Sequence, residues 1–346
     1  MLKEREGERK DARHNWKKIA NIKDLKRGYL SQVVHIISKM MVEYNAIVVL
    51  EDLNPGFIKG RQKIERNVYD QFEKMLIDKL NFYVDKHKDI NEVGGLLHAL
   101  QLTSEFKNFK KSEHQNGCLF YIPAWNTSKI DPATGFVNLF NTKYTNAVEA
   151  HEFFSEFDAI RYNDEKDWFE FEFDYDKFTQ KAHGTRTKWT LCTHGKRLRF
   201  LRNSAKVQEV VVLTEEFKKI LGEAGIDIHV NLKEAICNLE GKRQKYLEPL
   251  MKFMKLLLQL RNSKAGTDED YILSPVADEN GIFYDSRSCG DQLPENADAN
   301  GAYNIARKGL MLVEQIKDAE DLDNVKFDIS NKAWLNFAQQ KPYKNG

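Results

Sequence analysis

Residues 47–54 read IVVLEDLN, a short apolar run, mostly β-branched, that stops at the adjacent carboxylates Glu51 and Asp52. A run of this composition that is too short for a helix predicts a buried strand. In open α/β sheets, functional groups gather beyond the carboxyl ends of the strands. We therefore expect an α/β fold in which Glu51 lies where a central strand leaves the core.

A second acidic position lies far downstream, where residues 296–301 read NADANG and place Asp298 near the first turn of a predicted helix. Carboxylates from separate elements are the hard oxygen ligands that Mg²⁺ takes in phosphoryl-transfer enzymes, where two ions roughly 3.5–4 Å apart clamp the reacting oxygens. Alternation along the strand points Asp52 away from Glu51, so Asp52 is the weaker candidate. Carboxylates at strand ends and helix starts are also common for structural reasons. The apolar face of the downstream helix is predicted to be Ala302, Ile305, Leu310, Val313 and Ile316.

Length and composition describe an ordinary soluble protein of about two domains. Of its 346 residues, 41% are hydrophobic and 30% are charged, and the net charge is +1. Two segments are locally basic: residues 1–30, and residues 183–206, which contain no acid. Such segments suit a polyanion such as a nucleic acid, although a charge run is more often a solvated face.

Other features exclude several classes of protein. The four cysteines are scattered without a C-x-x-C pair, which argues against a zinc ribbon or a disulfide framework and favours a reducing cytoplasm. No apolar run approaches the roughly twenty residues that cross a bilayer, so no membrane partner is expected. The amino terminus has no secretory signal and resembles the middle of a charged helix, from which we expect that the chain begins partway through a larger protein.

Helices and a basic loop surround the first strand in the sequence. Asp24 is a candidate N-cap for a helix, and a further amphipathic helix is predicted from about Val68 to Val84. The loop at residues 53–63 carries Lys59 and Arg61 near Phe57, and is either a lid over a nucleic-acid strand or a plain surface connection. Residues 118–123 predict a second buried strand. The first helix has an apolar stripe of Leu25, Tyr29, Val33, Ile36, Met40 and Tyr44, widened by Leu30, Val34, Ile37 and Met41.

Beyond about residue 143 the pattern changes. Residues 168–174 alternate phenylalanines with acids, which predicts an antiparallel strand with one wet face. Aromatic and basic residues interleave from Trp189 to Arg202, a composition that stacks bases in some proteins, although Trp189 fits a small core better. A helix from about Tyr246 to Arg261 would aim Arg261 inward at a cleft, unless this arginine only complements the helix dipole.

Several long runs together resemble one family, the type V-A CRISPR effector nucleases (Cas twelve-a, also called Cpf-one). The resemblance covers essentially the whole chain and rests on RKDARHNWKKI, GYLSQVVHII, IVVLEDLNPGF, VYDQFEKMLIDKLNF, FYIPAWNTSKIDPATGFV, LQLRNS, FYDSR and ADANGAYNIARKG. It implies an α/β fold: a partial RNase H-like RuvC domain lacking its first strands, with an inserted α+β Nuc domain. The implied segments are a bridge-helix region at 1–22, RuvC segment II at 23–143, the Nuc domain at 144–285 and RuvC segment III at 286–346.

The resemblance also assigns roles to individual residues. It implies that Glu51 and Asp298 are the second and third catalytic carboxylates and bind Mg²⁺, with Mn²⁺ as a substitute. Arg261 matches the arginine beside the active site, and Asp270 an acid of the same domain that belongs to its nucleic-acid surface. Trp16 matches the bridge-helix tryptophan that docks into the recognition lobe. Lys59 and Arg61 match the lid.

The implied activity is RNA-guided cleavage of DNA, for antiviral defence in a prokaryotic cytoplasm, with guide RNA, target DNA and single-stranded DNA as partners. The protein reads a short flanking motif while guide pairing selects the target. The chain departs from the family in lacking the G-I-D-R-G-E type motif of the first catalytic aspartate. We therefore expect a carboxy-terminal portion that is inactive alone and leaves a sheet edge uncovered for its missing amino-terminal part.

Two alternatives remain open. One is a non-catalytic nucleic-acid-binding or assembly module that needs a separate amino-terminal half. The other is a transposon-encoded TnpB-like nuclease, which is disfavoured because those proteins carry paired cysteines before the last aspartate, where this chain has only Cys289.

Overall fold

A computed structural model of the chain describes residues 22–52, 63–105, 115–179, 183–200, 208–263, 270–290, 292–320 and 327–340. The chain divides into two compact units, Met1–Ala124 with Leu312–Asp328, and Trp125–Met311 with Ile329–Gly346. The four segments implied by the family resemblance remain a prediction.

The first unit combines helices with a small sheet. Strands β1 and β3 are parallel, and β2 is antiparallel to β3, giving the order β1-β3-β2. The register places Glu51 beside Ile122 and Asp52 beside Pro123. The elements described in this unit are helix α1 (Ile22–Glu43), strand β1 (Val48–Asp52), helix α2 (Lys63–Asn81), strand β2 (Gln115–Asn116) and strand β3 (Leu119–Pro123).

Strand β3, and not β1, is the middle strand of this sheet. Residues 119–122 of β3 are buried, whereas every residue of β1 is half-buried. Among the described residues β1 pairs on one side only, so the prediction of a central, buried strand at Glu51 was wrong. Within the described ranges, β3 is the one strand that pairs with β1.

Helices α1 and α2 cover one face of the sheet through a shared apolar core. The predicted broad stripe of α1 is divided: Leu30, Val34 and Met41 are buried, whereas Tyr29 and Ile36 are exposed. The widening row is confirmed and the main stripe was wrong, because only one of two adjacent apolar rows faces the sheet. The core residues are Val34, Met41, Leu76, Ile77, Leu80, Leu119 and Tyr121.

The ends of both helices differ from the predictions. Helix α1 begins at Ile22, so Asp24 lies in its first turn and is not the N-cap. Helix α2 begins earlier than predicted and ends at Asn81. It ends there because Tyr83 enters an extended pairing with Leu100, in which each backbone N–H donates to the other residue's carbonyl.

The described residues of the second unit form two antiparallel three-stranded sheets, in the orders β4-β5-β6 and β11-β10-β9, and an antiparallel pair β7-β8. Its strands are β4 (Ala159–Asn163), β5 (Trp168–Asp174), β6 (Lys188–Cys192), β7 (Lys196–Phe200), β8 (Gln208–Val212), β9 (Arg261–Ser263), β10 (Asp270–Ala277) and β11 (Phe283–Asp285). Its helices are α3 (Ala147–Ser155), α4 (Tyr175–Phe178), α5 (Leu213–Glu223), α6 (Leu232–Cys237), α7 (Leu247–Leu257), α8 (Ala297–Lys317, which continues into the first unit) and α9 (Asn331–Gln339).

Phenylalanines dominate the core beneath β5. Phe169 and Phe171 contact Phe217 of α5 with ring centroids 4.7 and 5.2 Å apart, and Phe217 stacks on Phe253 of α7 at 4.7 Å. All four rings are buried. The predicted antiparallel strand over residues 168–174 is confirmed.

The opposite face of β5 is drier than predicted. Glu170 is buried, and its carboxylate accepts hydrogen bonds from Arg161, Asn163 and the indole N–H of Trp168. Burial alone would raise the pKa of Glu170, but these donors bring that pKa below its usual value. The prediction of a wet acidic face was therefore wrong at Glu170, where a polar network replaces water.

No helix in the described parts of the chain combines the length and the apolar character needed to cross a membrane.

We predict that Phe217→Ala lowers the free energy of unfolding by about 3–5 kcal/mol, because it removes a ring that three other phenylalanines contact. Urea denaturation monitored by circular dichroism measures the change. Phe82→Ala is the matched control: this ring is 63% exposed, and its removal should cost less than about 0.5 kcal/mol. Equal losses in the two variants would contradict the assigned core.

Candidate functional site

Arg261 is held by a carboxylate on the neighbouring strand. Its Nε and Nη2 donate to the two oxygens of Asp270 at 3.0 and 2.9 Å. The antiparallel register pairs Arg261 with Ile272, so Asp270 occupies the diagonal position on the same face. A two-bond contact of this kind fixes the plane of the guanidinium as well as its position.

The predicted helix to Arg261 ends earlier than expected. Helix α7 stops at Leu257, and Arg261 is the first residue of β9. Strand pairing with β10, and not the apolar stripe of the helix, therefore positions Arg261. Its side chain is 49% exposed, so the prediction that it points inward was wrong.

The third guanidinium nitrogen faces Asp298. Nη1 of Arg261 lies 3.3 Å from Oδ1 of Asp298, whose side chain is 85% exposed. Asp298 lies in the first turn of α8, as predicted, and the side chain of Asn296 caps this helix by accepting from the N–H of Ala299 at 2.8 Å. One exposed carboxylate and one half-exposed arginine thus face solvent together.

A buried amide network holds the strand of Arg261 in place. Asn262 is fully buried, and its Oδ1 accepts from the backbone N–H of Leu198 at 3.0 Å and from Nε2 of Gln259 at 3.1 Å. Arg197, also fully buried, donates from Nε to the carbonyl of Gln259 at 2.9 Å. Burial lowers the pKa of Arg197 to about 10. Strand β7 is thereby hydrogen-bonded to Gln259, two residues before Arg261, and to Asn262, the residue after it.

Helix α8 is anchored by polar residues. Asn300 donates to the carbonyl of Ile130 at 3.0 Å, and Asn304 donates to the carbonyl of Thr127 at 2.9 Å. Both asparagines are fully buried, whereas Ala302 and Leu310 of the predicted apolar face are exposed. The prediction for this face was wrong, because the helix packs on a segment that offers backbone carbonyls.

Glu51 lies at the end of β1 in the first unit, and helix α2 holds its backbone. The hydroxyl of Tyr69 donates to the carbonyl oxygen of Glu51 at 2.9 Å. Burial, and then the nearby charges of Glu73 and Glu51, raise the pKa of Tyr69, so this hydroxyl stays protonated as a donor. Tyr121 of β3 in turn donates to the buried carboxylate of Glu73.

The predicted site residues are therefore distributed as follows. Arg261, Asp270 and Asp298 come together in the second unit, and Glu51 lies in the first. Trp16, Lys59 and Arg61 fall outside the described residues. Sequence reasoning missed Tyr69, Asn262, Gln259, Asn300 and Asn304.

Much of the basic segment 183–206 does not form a free basic surface. Arg197 is buried, and Arg199 pairs with Glu209 at 3.0 Å and Glu216 at 2.7 Å. Trp189 is a core residue, as predicted: it is buried beneath Arg186, whose guanidinium lies 3.9 Å from the ring centroid. These side chains stabilise the fold, because Arg199 is paired with carboxylates and the Trp189 ring is buried under a guanidinium.

The model of the RuvC nuclease domain matches residues 1–343 of this sequence. The chain belongs to the RuvC nuclease family. Membership agrees with the observed mixture of helices and β-sheets, which is consistent with an RNase H-like α/β fold. It also supports nucleic-acid cleavage as the general activity of this RuvC nuclease.

RuvC nucleases generally use divalent metals. In the described part of this RuvC nuclease, no group of three or more His, Cys, Asp or Glu side chains is placed to hold a metal ion. The exposed carboxylate of Asp298 and the half-buried Glu51 nevertheless have the oxygen donors that a hard divalent cation takes. The donor chemistry therefore fits such an ion.

We predict that Tyr69→Phe lowers the free energy of unfolding by about 1 kcal/mol, because the carbonyl of Glu51 loses its hydroxyl donor while the ring stays. Chemical denaturation measures this change. Tyr29→Phe removes a hydroxyl from a side chain that is 67% exposed and should have no measurable effect. Equal stability of Tyr69→Phe and the wild type would show that the hydrogen bond contributes nothing.

Proposed function

We propose that this RuvC nuclease is part of an RNA-guided DNA endonuclease of the type V-A CRISPR class, which hydrolyses phosphodiesters of a target duplex and, once activated, of single-stranded DNA. The observation that carries the proposal is the bonding of Arg261 to both Asp270 and Asp298. A pre-oriented arginine can stabilise the charge that develops on a reacting phosphate, and this arginine lies beside an exposed carboxylate. The long sequence runs quoted above support the narrower class.

Arg261 acts as the contact to the phosphate that is cleaved. Asp270 engages two of its nitrogens and fixes the guanidinium plane, while Nη1 stays on the solvent side next to Asp298. A phosphate approaching Asp298 would meet this nitrogen without any change in the Asp270 contact. Asp270 is thus a positioning residue, since its own negative charge disfavours direct phosphate binding.

Glu51 and Asp298 would hold Mg²⁺ or Mn²⁺. When bound, the ion activates a water and stabilises the charge that develops on the phosphate oxygens. The chain's own residues set the geometry: Tyr69 holds the backbone of Glu51, and Asn300 and Asn304 hold the helix that carries Asp298.

The remaining parts of the proposal concern partners and segments. Residues 1–22 form the bridge-helix region, with Trp16 docking into a recognition lobe, and 144–285 form a Nuc domain inserted between the RuvC segments 23–143 and 286–346. Lys59 and Arg61 lie in a lid over the DNA. Guide RNA and target DNA are the nucleic-acid partners. The first catalytic aspartate is supplied from outside residues 1–346, which contain no G-I-D-R-G-E type motif.

We predict that a polypeptide of residues 1–346 has no Mg²⁺-dependent DNase activity alone. Adding the amino-terminal part of a type V-A effector with its guide RNA should restore cutting of single-stranded DNA. Glu51→Gln and Asp298→Asn should each reduce restored cutting at least about 100-fold, because each removes one charged ligand. Gel analysis of labelled DNA measures the rates.

Two controls make this test decisive. Asp278→Asn changes a carboxylate of the same unit that contacts neither Arg261 nor Asp298, and should cut at the wild-type rate. Restored cutting that survives Glu51→Gln and Asp298→Asn would contradict the assigned site. Restored nucleic-acid binding without any cutting would support a non-catalytic assembly module instead.

A further inference from the structure

An exposed row of cations follows α7 towards Arg261. The row begins in a 3₁₀ helix, Gly241–Tyr246, which leads directly into α7. Residues 242–255 contain five cations and one carboxylate. The four lysines of this row are all exposed: Lys242, Lys245, Lys252 and Lys255.

Helical periodicity places these lysines on one side. Three residues separate Lys242 from Lys245, which is one turn of a 3₁₀ helix. Glu248, Lys252 and Lys255 continue the row at α-helical spacings of four and three residues. The other sides of α7 are apolar and buried, including Leu250, Met254 and Leu257, so only this side meets solvent.

Within the described part of the chain, most lysines of this row form no salt bridge, although the Lys245 ammonium lies 4.9 Å from the ring centroid of Tyr246. Lys252 pairs with Glu248 at 2.6 Å, and no carboxylate in the described ranges forms a salt bridge with Lys242, Lys245 or Lys255. Four other cations of the same unit are paired. Arg161, Lys177, Arg199 and Lys218 each pair with one or two carboxylates.

The row also differs from the cavity of about 600 Å³ that lies against β5 and β6. The lining of that cavity has a net charge of zero. Its acidic residues are Asp158, Glu170, Glu172 and Asp278, and its basic residues are Arg161, Lys166, Arg186 and Lys188. A polyanion gains little from a surface of zero net charge, but gains from a row with an excess of cations. The row is therefore the better place for a phosphate backbone.

Position connects the row to the site. Helix α7 ends at Leu257, and a link of three residues leads to Arg261 at the start of β9. From Lys242 to Lys255 the row is about 22 Å long at the usual helical rises, which is enough for several backbone phosphates. We propose that Lys242, Lys245, Lys252 and Lys255 form a track for the sugar-phosphate backbone of a single DNA strand that leads to Arg261.

This inference rests on the proposed function for its direction towards Arg261, but its test does not require cleavage. The probe is a fluorescent oligothymidine of about 16 nucleotides, bound by the full 346-residue chain in EDTA and followed by anisotropy at several salt concentrations. The test variant replaces Lys242, Lys245, Lys252 and Lys255 by Gln, which keeps the helix propensity and removes four charges. The matched control replaces four other exposed lysines by Gln: Lys39, Lys74, Lys86 and Lys332.

The track variant should bind at least about tenfold more weakly than the wild type at low salt. The slope of log affinity against log salt concentration should be smaller by about 3, since each lost contact to a single strand contributes about 0.7. The control variant should bind within about twofold of the wild type. Circular dichroism and thermal unfolding verify that both variants fold as the wild type does.

Three results would overturn the track: no binding by the wild type, wild-type binding by the track variant, or equal weakening in both variants. The cleavage assay tests the proposed function separately. Cutting by the reconstituted effector that survives Glu51→Gln and Asp298→Asn would contradict that function. If only the track variant loses DNA binding while such cutting persists, the track is supported and the assigned catalytic site is contradicted.

Discussion

The candidate site depends on hydrogen bonds from buried side chains to backbone groups close to each functional residue. Asn300 and Asn304 donate to carbonyls of the 127–130 segment and fix the helix of Asp298, while Asn262 fixes the strand of Arg261. Tyr69 performs the same task for Glu51. A buried polar group that loses its partner costs about 1–3 kcal/mol, so these contacts strongly favour one arrangement of the backbone. Rigid support of this kind is what pre-organised catalysis needs, since displacing a functional group by about 1 Å can cost about 100-fold in rate.

Arg261 is the candidate phosphate contact that this support holds in place. Two of its nitrogens are bound to Asp270, so the third is presented to Asp298 in a fixed orientation. A lysine in the same place would carry the charge without the planar, two-bond contact. The side chain of Arg261 is 49% exposed, which leaves it accessible to a phosphate while its orientation is already determined.

Sequence patterns predicted the positions of the elements better than their environments. The strand at 47–54, the buried strand at 118–123, the alternating strand at 168–174 and the helix start at Asp298 all lie where periodicity and capping indicate. Periodicity could not tell which of two apolar rows of α1 faces the sheet, because both have the helical spacing. It also missed the buried face of α8, because asparagines are read as surface residues until a partner carbonyl is known. The role of Asp270 could not come from periodicity either, since it depends on the register of β9 against β10.

We propose that Glu51 and Asp298 bind one common divalent ion. The most direct measurement replaces Mg²⁺ by Fe²⁺ in the reconstituted effector and maps where hydroxyl radicals generated at the metal cut the polypeptide. The account predicts two cuts, one beside Glu51 and one beside Asp298, both suppressed by excess Mg²⁺ and both lost in Glu51→Gln as well as in Asp298→Asn. A cut beside one residue that persists when the other is substituted would show that the two carboxylates do not share an ion, and would contradict the account.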